Sequence, residues 1–330
     1  MNDIVFITGA GRSGTNLIAG IYDNHERVNV FPGEFPFYNI LSKINSNSCI
    51  ISNNKNKKLL LEFFIKRFDK DRKKFKKQLN FKKYSKFHLS FLINKLLNFY
   101  FKKKKIILIN TQHENIDFLL NNFREAKIIH MLRSPLTQIN SRYLLRHGDC
   151  SKRYGGDEFP ISFFRSYNTF KQAYRYKDDP RVLIIKLEDL TKNNEPVIKK
   201  INNFLKVKKK TDKIKLTRFN GKFISTINGR YIETEKIINI KSDYSCLLPN
   251  DLYCINKIKH AKYFYTIKKF NYSRPNIFLY FLRHFGFIGK KRKLTFNFID
   301  LAKLFFYTIK NYKTDKKVKI KFLNFVKNEK

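Results

Sequence analysis

Short apolar runs alternate with amphipathic segments along the first 206 residues of the chain. Brief runs of the buried type predict strands over residues 4–8, 28–31, 106–110, 127–132 and 182–187. Apolar residues at helical spacing predict helices over residues 16–22, 116–123, 159–176 and 196–205, and a helix whose first turn contains Pro135. This alternation predicts an α/β fold, with a doubly wound, mainly parallel sheet flanked by helices.

Two lysine-rich segments depart from the alternation. Residues 55–105 carry 19 Lys and Arg against three acidic residues, interleaved with Phe, Leu and Tyr. We interpret them as a basic helical insertion at about residues 45–105. From Arg274 the chain is again basic, aromatic and of helical character. The predicted organisation is therefore an α/β domain over residues 1–270 and a basic, aromatic, helical C-terminal extension over residues 271–330.

The charge of the chain indicates anionic surroundings. Its 330 residues contain 69 Lys and Arg against 26 Asp and Glu, a net charge of +43. Such an excess suits a nucleotide, a polyanionic acceptor or an anionic membrane. Lys interleaved with Phe and Tyr over residues 278–312 favours peripheral attachment to such a membrane.

The cysteines and the apolar segments bear on the compartment. The four cysteines show no CxxC spacing and no zinc pattern, which favours a reducing compartment and no metal. No signal peptide is visible, and no uncharged apolar stretch approaches the roughly 20 residues that a spanning helix needs. We expect a cytoplasmic protein, with peripheral contact on the inner face of the membrane.

A glycine-rich loop follows the first predicted strand. It reads Gly9-Ala10-Gly11-Arg12-Ser13-Gly14-Thr15-Asn16, and its Gly9-to-Gly14 spacing matches the first half of a phosphate-binding P-loop. The N-terminus of the following helix favours an anion. A P-loop that hydrolyses nucleoside triphosphates needs Lys and then Ser or Thr where Thr15 and Asn16 stand. The loop therefore predicts binding of a phosphate-like group. It lacks the Lys and the adjacent hydroxyl that bind Mg-NTP in such enzymes. The alternative is an unrelated glycine-rich turn.

Residues 11–17 resemble the 5'-phosphosulfate loop of sulfotransferases. Their sequence is Gly11-Arg12-Ser13-Gly14-Thr15-Asn16-Leu17. These enzymes use 3'-phosphoadenosine 5'-phosphosulfate (PAPS), and the resemblance is strongest to the bacterial and Golgi-type branches. The family usually has a second Thr where Asn16 stands. The resemblance spans residues 4–206, without the insertion. It implies a P-loop-like sheet and the transfer of a sulfuryl group from PAPS to an acceptor hydroxyl, without a metal.

A second part of the resemblance follows the predicted strand 127–132. Arg133, Ser134 and Pro135 lead into a helix, and Ser141 lies eight residues after Arg133. The helix turns back over the strand end, so a guanidinium and a hydroxyl can converge to suit a phosphate monoester. In the family, this Arg and Ser bind the 3'-phosphate of PAPS. The alternative is a surface Arg and an unrelated helix Ser.

A third part lies over residues 183–205, which resemble a later strand, turn and helix of the family. There, Glu188 and Asp189 are expected to organise the turn and cap the next helix.

The acceptor hydroxyl must lose a proton, so a general base is expected. Glu34 is the candidate, because a second strand adjacent to the first would place this carboxylate near the donor loop after Pro32-Gly33 ends the strand. Golgi-type members carry a Glu that acts as base in such a Gly-Glu turn. His25 is the rival base, although a structural role at its turn is favoured.

The leaving group also needs a partner. The family often has a Lys beside the donor, and this chain has His113 nearby instead. His113, or a basic residue from elsewhere such as Arg12, is expected to stabilise the leaving group.

The acceptor and three rival functions stay open. A glycan or glycolipid acceptor is expected from family analogy and from the basic surfaces, with a tyrosine or a small molecule as the alternatives. Residues 220–225 and 228–230 are possible loops over the nucleotide. A nucleotide kinase or NTPase would need Lys at position 15. The charge suggests nucleic-acid binding, but no helix-turn-helix, RRM or zinc pattern offers specificity. The missing donor-site Lys also allows an inactive homologue.

Overall fold

We analysed a computed structural model of the chain. The structure describes residues 3–23, 25–35, 37, 50–51, 54–59, 62, 87–101, 106–112, 115–147, 158–208, 247 and 249–266. The chain divides into two compact units. The first unit consists of Met1–Gly9, Gly14–Met131 and Tyr176–Asn239, and the second of Ala10–Ser13, Leu132–Arg175 and Ile240–Lys330.

A five-stranded sheet forms the centre of the first unit. Its strands are β1 (Asp3–Gly9), β2 (Val28–Glu34), β5 (Ile106–Gln112), β6 (Lys127–Leu132) and β7 (Val182–Lys186). They lie in the order β2-β5-β1-β6-β7, and β1 pairs in parallel with β5 and β6, as β2 does with β5. A separate antiparallel pair joins β3 (Ile50–Ile51) to β4 (Phe87–His88).

Helices complete the first unit on both faces of the sheet. They are α1 (Thr15–Tyr22), α2 (Leu89–Tyr100), α3 (Ile116–Asn122), α6 (Leu187–Lys192) and α7 (Asn194–Leu205). Residues 54–59 are also helical.

The side chains of the sheet divide the core in two, because successive residues of a strand point to opposite faces. Ile4 and Phe6 of β1 belong to one buried cluster with Leu92 of α2 and Leu119 of α3. Val5 and Ile7 belong to the other, with Ile18, Leu190 and Ile201 from α1, α6 and α7. These continuous apolar runs have both faces covered, as expected of parallel strands between helix layers.

The predicted fold class is confirmed, and three local expectations are wrong. β2 does not lie next to β1, because β5 pairs with both strands. Pro32-Gly33 does not end β2 either: the register shifts between Val30 and Glu34, and Glu34 pairs with Asn110 of β5. The expected turn at Glu188 and Asp189 is the short helix α6, with both residues in its first turn and no side-chain hydrogen bond at the N-caps of α6 and α7.

The described end of the insertion belongs to the core. Leu89, Leu92, Ile93 and Leu97 of α2 are buried in the cluster that also contains β1 residues. Helical character was predicted there, whereas the β3–β4 pair was not. The C-terminal extension lies outside the described residues.

The second unit contains four helices among its described residues. They are α4 (Pro135–His147), α5 (Glu158–Arg175), α8 (Pro249–Asn256) and α9 (Ala261–Phe264). Contacts join α4 to α5 and α8, and α5 to α9. Phe163, Phe170 and Ala173 are buried on the inner side of α5.

Two features are absent from the described residues. No helix there is long and apolar enough to cross a bilayer. No group of three or more His, Cys, Asp or Glu side chains there could hold a metal ion.

Candidate active site

Gly14 opens α1 in a conformation that leaves the helix end open to an anion. It has a φ of 90° and caps the helix without a side-chain hydrogen bond. Its carbonyl accepts from the amides of Leu17 and Ile18 at 2.9 and 3.3 Å. The first-turn amides of a helix have no intrahelical acceptor, and the helix dipole adds positive potential there. The start of α1 can therefore bind a phosphate or sulfate group.

Replacing Gly14 is expected to damage this helix start. A Cβ at Gly14 would lie 2.5 Å from Cδ1 of Leu187, and the positive φ disfavours any other residue. We expect Gly14→Ala to destabilise the protein by about 1–3 kcal/mol, measured by urea unfolding, from the combined overpacking and backbone strain. Gly33→Ala, at a second positive φ but at an exposed position within β2, is the comparison. Equal loss in the two variants would show that Leu187 has no part in the effect.

Asn16, Asn110 and Glu34 lie together in the first unit. Nδ2 of Asn110 donates to Oδ1 of Asn16 at 2.6 Å. Glu34 is the register partner of Asn110, and the carbonyl of Asn110 accepts from the amide of Phe35 at 2.7 Å. The half-buried Glu34 thus ends β2 at the carboxyl edge of the sheet, beside the Asn110 whose side chain holds Asn16. Although β2 is not adjacent to β1, Asn110 therefore connects Glu34 to Asn16.

Asn110 has a spare hydrogen-bonding group in this arrangement. Its Oδ1 is buried and has no hydrogen-bond partner among the described residues. An orphaned buried amide oxygen costs free energy unless a ligand or water satisfies it. A carbonyl oxygen is an acceptor, so Oδ1 can receive a hydrogen bond from a hydroxyl.

His25 is engaged through both ring nitrogens. The amide of Arg27 donates to Nδ1 at 3.2 Å, so Nε2 carries the proton and lies 3.2 Å from the carbonyl oxygen of Lys208. The ring is 5% exposed. A histidine whose one acceptor already receives a bond is poorly placed to take a proton, so the geometry favours the structural role over the base role.

Arg12, Arg133 and Ser141 lie together in the second unit. Nε of Arg12 donates to Oγ of Ser141 at 3.2 Å, and Nη1 of Arg133 donates to the carbonyl oxygen of Arg12 at 3.0 Å. Nε of Arg133 donates to Oγ1 of Thr137 at 3.1 Å. The three predicted residues are brought together, with Arg12 between the other two.

The backbone of this loop segment is held by Gln138 of α4 and by the loop's own Ser13. Arg12 has a φ of 74°, which is costly for a residue with a Cβ and therefore needs such support. Nε2 of the buried Gln138 donates to the carbonyl oxygen of Gly11 at 2.7 Å, while Oγ of Ser13 donates to the carbonyl oxygen of Ala10 at 2.5 Å.

Arg12 has cationic neighbours and no acidic partner in the described part of the second unit. Burial lowers the pKa of its guanidinium, and repulsion from Arg142 lowers it further. Guanidinium groups that are partly desolvated and close to one another are stabilised by a bound anion with several oxygens. This cluster fits a phosphate or phosphosulfate group.

Sequence reasoning missed Asn110 and Gln138. The available signal for Asn110 was a polar residue at the end of the apolar run 106–110. No signal was available for Gln138, which lies in a helix of interspersed polar and apolar residues. His113 and the possible loops over the nucleotide at 220–225 and 228–230 lie outside the described residues.

A family profile supports the chemistry suggested by the site. The profile of the sulfotransferase family matches residues 5–212. A search of curated proteins found no match.

Solved structures of sulfotransferases are similar to this chain at low sequence identity. The sulfotransferase domain from the curacin biosynthetic pathway superimposes with a TM-score of 0.54 at 15% identity, covering 81% of this chain and 99% of that one. The sulfotransferase domain from the Synechococcus PCC 7002 olefin synthase gives 0.45 at 17% identity, with coverages of 63% and 74%. Mouse sulfotransferase SULT7A1 complexed with PAP gives 0.37 at 15%, with coverages of 64% and 60%.

Proposed function

Because the chain belongs to the sulfotransferase family, we propose that it transfers a sulfuryl group from PAPS to an acceptor hydroxyl. The observation that carries this proposal is the group of Arg12, Arg133 and Ser141, which gathers two guanidinium groups and a hydroxyl in one place. The uncapped start of α1 adds backbone donors.

The proposed donor has two anionic ends, and the chain offers residues for each. Its 5'-phosphosulfate would be bound through backbone amides and the guanidinium of Arg12. The residues proposed for this contact are Gly11, Arg12, Ser13, Gly14, Thr15 and Asn16. Arg133 and Ser141 would bind its 3'-phosphate. A phosphate monoester at that position separates PAPS from ATP and ADP, so this contact would set the nucleotide preference.

PAPS supplies an activated sulfuryl group whose bond to the 5'-phosphate breaks as the acceptor oxygen bonds to sulfur. Glu34 would accept the proton of the acceptor hydroxyl, since it ends β2 beside Asn110. Asn110 positions Asn16 through the 2.6 Å hydrogen bond. Arg12 would stabilise the charge that grows on the departing phosphate oxygen, in place of the usual Lys. His113 is the second proposed candidate for that role.

The acceptor is proposed to be a hydroxyl on a carbohydrate or a glycolipid. Family analogy and the excess of 43 positive charges support a partner that is itself anionic or lies on an anionic surface. A cytoplasmic enzyme with peripheral membrane contact would meet such an acceptor during its synthesis.

The nucleotide kinase or NTPase is the weaker candidate. Thr15 and Asn16 occupy the positions of the Lys and the Mg²⁺-binding hydroxyl, and Asn16 is bonded to Asn110. Binding to nucleic acid through charge alone would leave the Arg12, Arg133 and Ser141 group without a purpose.

Calorimetric titration tests the donor directly. The product nucleotide 3'-phosphoadenosine 5'-phosphate (PAP) is expected to bind at least about tenfold more tightly than ADP or Mg-ATP, because a single charge-assisted contact contributes that much. Preference for Mg-ATP would overturn the proposal in favour of a kinase. Binding of PAP without release of PAP from PAPS, across a panel of glycan and glycolipid acceptors, would indicate an inactive homologue.

A further inference from the structure

A tyrosine-rich surface of the second unit has no role in the proposed chemistry. It is formed by Tyr174 on α5, Tyr263 on α9 and His260 just before α9. The rings of Tyr174 and Tyr263 meet edge to face with centroids 5.3 Å apart, and the His260 ring lies 5.1 Å from Tyr174. We call these three residues, with Lys171 and Lys262, the tyrosine surface.

The tyrosine surface exposes large aromatic side chains on a fixed scaffold. Tyr174 is 43% exposed and Tyr263 is 58% exposed. Beneath them, the ring of the buried Phe170 packs against the rings of Phe264 and Tyr265, with centroids 6.2 and 5.9 Å apart. This packing attaches α9 to α5. The two exposed tyrosines are therefore held in place.

Cations surround these rings, and acidic residues are absent from the same segments. Lys171 and Lys262 are exposed. Lys171 precedes Tyr174 by three residues on α5 and therefore shares its helix face. Burial and then the charge of Lys171 lower the pKa of His260. Residues 159–175 and 252–266 contain no Asp or Glu. The surface is thus complementary to a negatively charged partner.

We propose that the tyrosine surface docks on an anionic lipid membrane. Tyrosine rings are amphipathic and collect at the membrane–water interface, and lysines flanking them reach anionic headgroups. A soluble polyanion would attract the lysines equally but would not require two exposed rings.

The sequence that follows α9 has the same character. Residues 267–330 carry 17 Lys and Arg against three acidic residues, together with 15 Phe and Tyr. This composition suits the same partner as the tyrosine surface. The inference does not depend on sulfuryl transfer, and vesicle binding is measured without nucleotide, so each proposal can fail alone.

Tryptophan fluorescence of the full-length protein tests the docking. The chain contains no Trp, so Tyr263→Trp provides a single reporter. Phe91→Trp is the matched control, since Phe91 is 40% exposed and lies beneath Lys95 at 4.8 Å. With vesicles of phosphatidylglycerol and phosphatidylcholine, the emission of the Tyr263→Trp protein should shift to the blue and be quenched by brominated lipid. Pure phosphatidylcholine vesicles should have little effect.

Charge neutralisation provides the second measurement. Lys171→Gln combined with Lys262→Gln is expected to weaken vesicle binding about 25-fold, since each cation near the surface contributes about fivefold. Lys199→Gln combined with Lys200→Gln makes the same charge change on exposed residues of α7 and should leave the binding nearly unchanged. Circular dichroism of each variant checks that it is folded.

Three outcomes would overturn the proposal. Equal blue shifts in the Tyr263→Trp and Phe91→Trp proteins would mean adsorption by charge alone. An equal loss of binding in the two Lys-to-Gln pairs would mean the same. A blue shift with soluble dextran sulfate, but no quenching by brominated lipid, would assign the surface to a polyanion instead of a membrane.

Discussion

Arg133→Ala is expected to remove most of the selectivity for a 3'-phosphorylated nucleotide. The affinity for PAP should fall by about 10- to 150-fold, because a buried charge-assisted contact to phosphate contributes about 1.5–3 kcal/mol. Adenosine 5'-phosphate, which lacks only the 3'-phosphate, should lose much less. Calorimetric titration of both nucleotides gives the ratio.

Comparison of PAP with adenosine 5'-phosphate distinguishes recognition of the 3'-phosphate by Arg133 from support of the loop by the same residue. Nη1 of Arg133 also donates to the carbonyl oxygen of Arg12, so the substitution disturbs the loop as well as the charge. That disturbance would weaken both nucleotides alike. An equal loss for PAP and adenosine 5'-phosphate would therefore contradict a role at the 3'-phosphate.

Two further variants sharpen this measurement. Ser141→Ala removes the hydroxyl that accepts from Nε of Arg12, and is expected to lower the same ratio by about tenfold. Arg181→Ala removes an exposed arginine that pairs with Asp179 at 2.9 Å, and should leave both affinities unchanged. A similar fall in this control would indicate a general effect of positive charge.

The local elements of this fold follow from local patterns, whereas the strand order does not. The apolar run at 127–132 becomes β6 with the same bounds, because a buried parallel strand is recognised by its own residues. The position of β5 between β1 and β2 depends on pairing across about 80 to 100 residues of sequence. No local pattern reports such pairing, so the adjacency expected for β2 was wrong.

The site shows the same division between local and distant information. The proximity of Arg133 and Ser141 could be predicted because Arg133 immediately precedes α4 and Ser141 lies within that helix. Both residues also contact Arg12, whose backbone is left-handed. No sequence pattern marks Arg12 for that conformation, so these contacts could not be predicted. The bond from Asn110 to Asn16 joins residues 94 positions apart, and only the fold reveals it.

Glu34→Gln is expected to lower the rate of sulfuryl transfer by about 10²–10⁴-fold while PAP affinity stays the same. The amide keeps the shape of the side chain but cannot accept a proton, and a positioned base contributes a factor of that size. Release of PAP from PAPS, with an acceptor that the wild-type protein turns over, gives the rate. Calorimetry gives the affinity.

The pH profile of the same variant distinguishes a base from a structural carboxylate. The wild-type rate should rise with pH as Glu34 loses its proton, and this limb should be absent in the Glu34→Gln protein. His25→Asn should instead lower the melting temperature and keep the limb, since both ring nitrogens of His25 contact the backbone. Loss of the limb in His25→Asn, with Glu34→Gln unaffected, would transfer the base role to His25. Loss of PAP affinity in Glu34→Gln would instead mean that Glu34 supports the loop through Asn110, because an acceptor-side base has no contact with the nucleotide.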